Sequence, residues 1–354
     1  MTRPALAAVG RRQLWRPALG VLTVSALLTA FSESFYWYAG GTDYPGRVLF
    51  YLIPTTALLW ALASFPRRGW SAVMLVGAVY GFVTEGVLTA VVYGGYPFDP
   101  FAISYTALAW HALLAVGFGL FLLHRVLARG SLVRAAGTIA LFGAFWGAWA
   151  ITLRLPPDSD NEEVAGLSVL IGDVGITAFA LYTIAVTVAV GGCHLALGTV
   201  VRPADLVPGR GWSVLVLIVG GLWFALLIVP AAPWAPIELA VLLALCGVGL
   251  ARLPAARPSG PTTSSHALLD VLTERIQPSR LLLLAVLPVA ASLTFGLVVA
   301  LRPSDDTVRA ALLEPLVTVQ ALAGWVSFGG ALRAVFRRSA EGSPLTQLHR
   351  TPKH

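Results

Sequence analysis

Four ionisable residues lie well inside long apolar runs of this 354-residue chain: Glu33, Glu85, His111 and Asp173. A charged side chain within a membrane helix costs about 2.5–3.5 kcal/mol or more on insertion scales, which makes each of them a functional candidate. With the topology derived below, each sits about five to eight residues inside the external end of its run, a depth of roughly 10 Å at the helical rise. Three chemistries suit such a layer. Carboxylates titrating in a partly dry cavity couple proton or cation movement to transport. Glu33, Glu85 and His111 offer the donor types of a divalent-metal site, and two carboxylates with a histidine can also act as acid and base on a substrate entering from the outer leaflet. Haem is disfavoured: His111 and His124 share one run, but no second run carries two matching histidines, and His194 stands alone in the sixth. The chain has no HExxH, HxxxH, DxxxD or GxSxG motif to single out an enzyme class. The same four groups also read as structural polar contacts, with Glu33 or Glu85 paired with His111 or Arg154.

The elements that must position these groups follow from composition. Hydrophobic residues make up 57% of the chain and charged residues 12%, against about 45–50% and about 25% in soluble domains. The net charge of +7 does not imply nucleic acid, because the basic residues lie between apolar runs rather than on one polar face. A hydrocarbon core about 30 Å thick needs roughly 20 apolar residues in a helix. Ten runs qualify, covering residues 18–38, 48–65, 71–93, 103–127, 134–155, 166–199, 212–229, 236–253, 281–301 and 311–336. The fold class is therefore an all-α polytopic membrane bundle, since open sheet edges cannot face lipid. Four-residue spacing predicts which helix faces look inward. Gly77, Gly81, Glu85 and Thr89 form one stripe, whose small residues permit close helix packing. Ser25, Thr29, Glu33 and Trp37 form a second, Ala107, His111, Ala115 and Gly119 a third, and Asp173, Thr177 and Ala180 a fourth. Together they predict a polar cavity in the external half of the membrane, with Tyr36, Tyr80, Tyr105 and Trp110 as candidate walls; aromatic residues near helix ends equally supply an interfacial belt.

Loop charge orients the bundle. Cytoplasmic loops carry the Arg and Lys excess, and the ten-helix arrangement places 20 of the 24 basic residues on one side. Arg47, Arg154, Arg302 and Arg309 remain on the other, with Asp43, Asp99, Asp158, Asp160, Glu162, Glu163, Asp305 and Asp306. Both termini are thus expected in the cytoplasm, and the cell membrane is the expected location. Residues 1–17 form the N-terminal segment, 18–253 helices 1–8, 254–280 a cytoplasmic loop, 281–336 helices 9–10 and 337–354 a basic tail. A cleavable signal peptide is the rival reading of the N-terminus, but no small-x-small site follows its apolar stretch. In the 254–280 loop, Leu268, Leu269, Leu272 and Ile276 recur at helical spacing opposite Asp270, Glu274 and Arg275, which predicts a short amphipathic helix on the membrane surface.

Cys193 and Cys246 have no CxxC spacing and read as small core residues. The loop from Tyr93 to Phe101 reads either as a lid or as a tight Pro/Gly turn, and the acidic stretch from Pro156 to Glu163 as a solvated loop. YGFVTEGVL, followed by YPFDPF and LAWH, resembles the intramembrane Glu and aromatic pattern of carotenoid-modifying membrane enzymes; the likeness is confined to this short stretch and carries no residue role across. The leading expectation is a secondary transporter with membrane lipids around it and a small-molecule, ion or lipid substrate. A membrane enzyme acting on a lipid or lipid-linked substrate is the alternative, favoured by the near absence of buried ionisable groups from helices 7–10, and a non-catalytic assembly partner is the third.

Overall fold

The computed structural model of the chain describes residues 5–36, 43–150, 175–255, 267–301 and 306–341. Among them the secondary structure is helical. In chain order the elements are α1 (Ala5–Thr29), α2 (Tyr44–Phe50), α3 (Leu52–Ser64) and α4 (Trp70–Val83). They continue as α5 (Pro100–Arg129), α6 (Leu132–Trp149), α7 (Ile176–Thr199) and α8 (Pro203–Ala231). Last come α9 (Ala235–Arg252), α10 (Ala267–Leu272), α11 (Pro278–Ala300) and α12 (Asp306–Glu341). Nine helical segments among the described residues are long and apolar enough to cross a membrane, ten if the pair α2–α3, bent by 44°, is one span. On α8, Leu215, Leu217, Ile218, Leu222 and Leu226 are all exposed, the apolar surface a lipid-facing helix presents.

Several boundaries depart from the sequence expectation for local reasons. The second crossing begins at Tyr44 rather than Val48 and breaks at Tyr51. The third ends at Leu88, because Ala90 adopts a left-handed conformation (φ 66°) and the chain continues as a short turn, Val91–Tyr93. The tenth extends to Asp306 and Glu341. Leu268, Leu269, Leu272 and Ile276, predicted to rest on the membrane surface, are all buried within the protein.

The chain forms two compact units, each drawn from three separated segments. The first comprises residues 1–55, 118–209 and 271–319. In it α6 and α11 pack through Gly143 and Gly147, where a Cβ would stand 2.5 Å from the Leu287 oxygen and 2.1 Å from the Ala291 oxygen. A side chain at either position would push the helices apart, the usual reason for small residues at intramembrane helix contacts. Phe31, Phe35, Phe118, Phe142 and Trp146 form an aromatic core, with the Phe118 and Phe142 rings stacked at 3.9 Å and Phe35 on Trp146 at 3.9 Å.

The second unit comprises residues 56–117, 210–270 and 320–354. Here α4 meets the first half of α5: a Cβ on Gly77 would lie 2.9 Å from the Ala112 oxygen, and one on Gly81 2.1 Å from the Ala107 oxygen. Gly324 of α12 fits as tightly against Ser104 and Ala109, and Ser104 donates to the Ala321 carbonyl (2.5 Å). In the turn between α3 and α4, Arg67 donates to the Leu250 and Ala251 carbonyls at the end of α9 (2.8 and 3.1 Å), satisfying groups that a helix terminus leaves free.

Candidate functional site

Glu85 and His111 face each other inside the second unit. The glycine contacts of α4 set this geometry: the two helices run antiparallel, with Gly77 at Ala112 and Gly81 at Ala107, and Glu85 and His111 stand one turn from the second contact on opposite sides of it, so that their side chains meet across it. His111 Nε2 and Glu85 Oε1 share a hydrogen bond, and both residues are buried (3% and 6% exposed). Thr89 donates to the other carboxylate oxygen, Oε2, at 2.8 Å. The Tyr80 ring stands edge-on to the imidazole, with centroids 5.7 Å apart. Thr89 is exposed at the end of this segment while Glu85 is not, so the hydroxyl links a buried carboxylate to the surface.

Both residues lie where the helix is wound with i→i+5 hydrogen bonds. Thr84–Leu88, which contains Glu85, is π-helical, and so is Ile103–Leu122, which contains His111. Glu33 lies in a third such turn, Ala30–Ser34. Single π turns, such as those holding Glu33 and Glu85, recur at functional sites because they displace side chains from the α-helical phase and leave backbone groups differently paired. At the end of the α4 segment, the indole of Trp223 donates to the Leu88 carbonyl (3.1 Å), and the buried Tyr93 hydroxyl donates to that of Gly86 (2.9 Å). Burial, followed by the nearby Glu238 carboxylate, pushes the Tyr93 phenol above its ordinary range and keeps that proton in place.

Glu33 belongs to the first unit, where its carboxylate has two donors that the sequence reading did not name. Arg47 Nη1 donates to its Oε2 at 2.5 Å, and the Tyr51 hydroxyl donates to Oε1. The bent α2–α3 pair delivers both donors. Tyr36 packs on Trp149 in the same unit (centroids 5.2 Å). In the second unit Tyr105 stacks on Phe101 (5.3 Å) and Trp110 is buried. Asp173 and Arg154 lie outside the described residues. Among the described residues no group of three or more His, Cys, Asp and Glu side chains is placed to hold a metal ion.

The second unit also holds polar groups that the sequence did not single out. Glu238, at the start of α9, is fully buried; its Oε2 accepts from the Phe98 amide (2.9 Å), while Oε1 has no partner. Trp234 Nε1 and both polar side-chain atoms of Gln320 are likewise buried without a hydrogen bond. An acid in the first turn of a helix reads as a dipole partner, and nothing in the residue type reveals that the protein encloses it. Phe98 adopts a left-handed conformation (φ 56°), and Asp99 accepts from the Phe101 and Ala102 amides (2.9 and 3.2 Å). The loop is thus tied down to Glu238 rather than free.

Fold and site together define an all-helical protein of many apolar, membrane-length helices, with a buried acid–imidazole pair in one of its two units. Comparison with protein-family models, with curated proteins and with solved structures gives no match.

Proposed function

We propose that the protein is a proton-coupled secondary transporter of the cell membrane, with both termini in the cytoplasm and the Glu85–His111 pair as its proton site. The observation that carries this reading is the buried hydrogen bond between His111 Nε2 and Glu85 Oε1. With Glu85 ionised and His111 neutral the pair has charge −1; one added proton makes it neutral, whether that proton resides on oxygen or nitrogen. In a low-dielectric interior the neutral form is far cheaper to bury, so a proton taken up here changes what the unit tolerates around it. A transported ion or polar solute provides the compensating charge or hydrogen bonds. Glu238 Oε1, Trp234 Nε1 and the Gln320 amide, buried in the same unit without partners, are the groups such a solute or water would satisfy. They come from the N-terminal end of α9 and from α12, and polar groups drawn from the second half of the chain support the transport reading.

A thiol-accessibility experiment tests this without a known substrate. In a background lacking Cys193 and Cys246, Thr89→Cys and Ala115→Cys are made singly and treated with a membrane-impermeant maleimide in right-side-out and inside-out vesicles. Alternating access requires Thr89→Cys to react from outside, Ala115→Cys to react from inside, and Glu85→Gln to shift the balance of the two. Reaction of Thr89→Cys from outside only, indifferent to Glu85→Gln, would instead favour an acid–base enzyme open to one leaflet. Protection of both positions would refute an accessible site.

A further inference from the structure

The second unit separates its charges along its length. Among the described residues its arginines gather at one end: Arg67 and Arg68 before α4, Arg210 at the first residue of α8, Arg252 at the last of α9, and Arg333 and Arg337 near the end of α12. Arg67 meets the end of α9 there, and Arg252 lies over the Phe336 ring of α12. Glu85 near the end of α4, Asp99 at the start of α5 and Glu238 in the first turn of α9 stand at the other end. Glu85 is satisfied by His111 and Thr89, but Glu238 is not. Its side chain is fully buried, Oε2 accepts from the Phe98 amide at 2.9 Å, and Oε1 has no hydrogen-bond partner. Protonation does not remedy this, because a hydroxyl at Oε1 would need an acceptor as much as an anionic oxygen needs a donor or a cation. Asp99, the residue after Phe98, places a second carboxylate nearby, with Oδ1 taken by the Phe101 and Ala102 amides. Among the described residues neither acid forms an ion pair.

We propose that Glu238 Oε1, with the Asp99 carboxylate beside it, binds a monovalent cation, and that this cation is the solute exchanged for the proton of Glu85–His111. The exchange rests on the transport reading; the binding site does not. Neighbouring carboxylates without a counter-charge favour a bound cation, since an uncompensated buried charge is costly. One positive charge suffices, because the Phe98 amide and the positive end of α9 already offset part of the charge on Glu238. A calcium ion takes about six to eight oxygens, more than two carboxylates with one oxygen each already engaged can supply. Tyr93, close to Glu238, and Trp234, one turn before it, add aromatic surface of the kind an organic ammonium uses. The site is one residue below the surface, since Phe98 is 43% exposed.

Tyr93 joins this site to the proton pair. Its hydroxyl donates to the carbonyl of Gly86, the residue after Glu85, and the Glu238 carboxylate is near the same phenol. Leu239 reaches the same glycine: a Cβ on Gly86 would stand 3.2 Å from its Cδ1. The exchange also keeps charge constant. A cation on Glu238 with Glu85–His111 unprotonated, and a bare Glu238 carboxylate with the pair protonated, each leave one negative charge between the two sites. Neither form therefore asks more of a low-dielectric interior than the other.

Thermal unfolding and proton flux of the full-length protein test the two halves separately. In nanodiscs, sodium, potassium or methylammonium chloride replaces N-methylglucamine chloride at constant ionic strength, from about 1 to about 100 mM. The wild-type midpoint should rise by a few degrees with at least one of these cations, and the one that acts tells an alkali ion from an organic ammonium. Glu238→Gln should abolish the rise, and Asp99→Asn should move the half-maximal concentration up by about tenfold. If Glu238→Gln fails to fold, the Asp99→Asn titration still decides the matter. No rise with any of the three, a rise with magnesium chloride alone, or a rise that Asp99→Asn and a folded Glu238→Gln leave unchanged would overturn the site. In proteoliposomes holding a pH dye, a pulse of the active cation should drive protons the opposite way. Stabilisation without proton flux would uphold the site and refute the transport reading.

Discussion

Replacing Gly81 with alanine should damage both the packing of α4 on α5 and the Glu85–His111 pair that spans it. The added Cβ would lie 2.1 Å from the Ala107 oxygen, 2.8 Å from its carbonyl carbon and 3.1 Å from its Cα. All three are backbone atoms, so no side-chain rotation relieves the clash. The helices must part by about 1 Å to reach ordinary contact, and overpacking of this kind costs about 1–3 kcal/mol, roughly a 5- to 150-fold change in the folding equilibrium. Because the side chains of Glu85 and His111 meet across this contact, the same movement should pull their hydrogen bond apart. Two glycines grade the effect. A Cβ on Gly77 would meet the Ala112 oxygen at 2.9 Å, whereas one on Gly95 would meet nothing within 4 Å. Thermal unfolding of the purified protein in nanodiscs should therefore rank Gly95→Ala with the wild type, Gly77→Ala lower and Gly81→Ala lowest. Equal stability of Gly81→Ala and Gly95→Ala would refute the close approach of α4 and α5, and with it the geometry assigned to the site.

The same unfolding assay checks three further pairings. Arg47→Gln, which leaves the Glu33 carboxylate without its cation, should cost about 1.5–3 kcal/mol, more than the roughly 1 kcal/mol expected for removing the neutral hydroxyl donor in Tyr51→Phe. Arg67→Ala strips two carbonyls at the end of α9 of their donor and should lower stability by about 1–2 kcal/mol, with Arg67→Lys recovering only part. Trp223→Phe keeps the ring but removes the donor to Leu88; a loss of about 1 kcal/mol is expected, and none at all would mean that water or another donor takes its place.

The parts of the site set by helix periodicity were legible in the sequence. Gly77, Gly81, Glu85 and Thr89 on one helix and Ala107 and His111 on the next are spaced at four residues, and small residues beside buried ionisable ones mark a packed face. What four-residue spacing could not reveal is the π-helical winding around Glu33, Glu85 and His111, because no residue type specifies an i→i+5 turn. The partner of Glu33 was hidden for a different reason. Arg47 reads as a residue outside the membrane, and only the early start of α2 and the reach of a guanidinium bring it to the carboxylate. Glu238 was hidden by its position in a first helical turn, where an acid is ordinary. Burial of Leu268, Leu269, Leu272 and Ile276 illustrates the same limit, since an apolar stripe fits a membrane surface and a protein surface equally well.

These partly hidden residues bear most directly on what the second unit does. Glu85 and His111 satisfy each other, so by themselves they are compatible with a static contact. Glu238 Oε1, Trp234 Nε1 and the Gln320 amide are different: each is buried without a partner, and such groups cost about 1–3 kcal/mol apiece. An apolar residue at any of these positions would remove that cost. Polar side chains at all three instead make sense if the unit is occupied, for part of its working cycle, by water or a polar solute that completes their hydrogen bonds. An occupant of that kind is also what a proton arriving at Glu85–His111 would need in order to be coupled to anything.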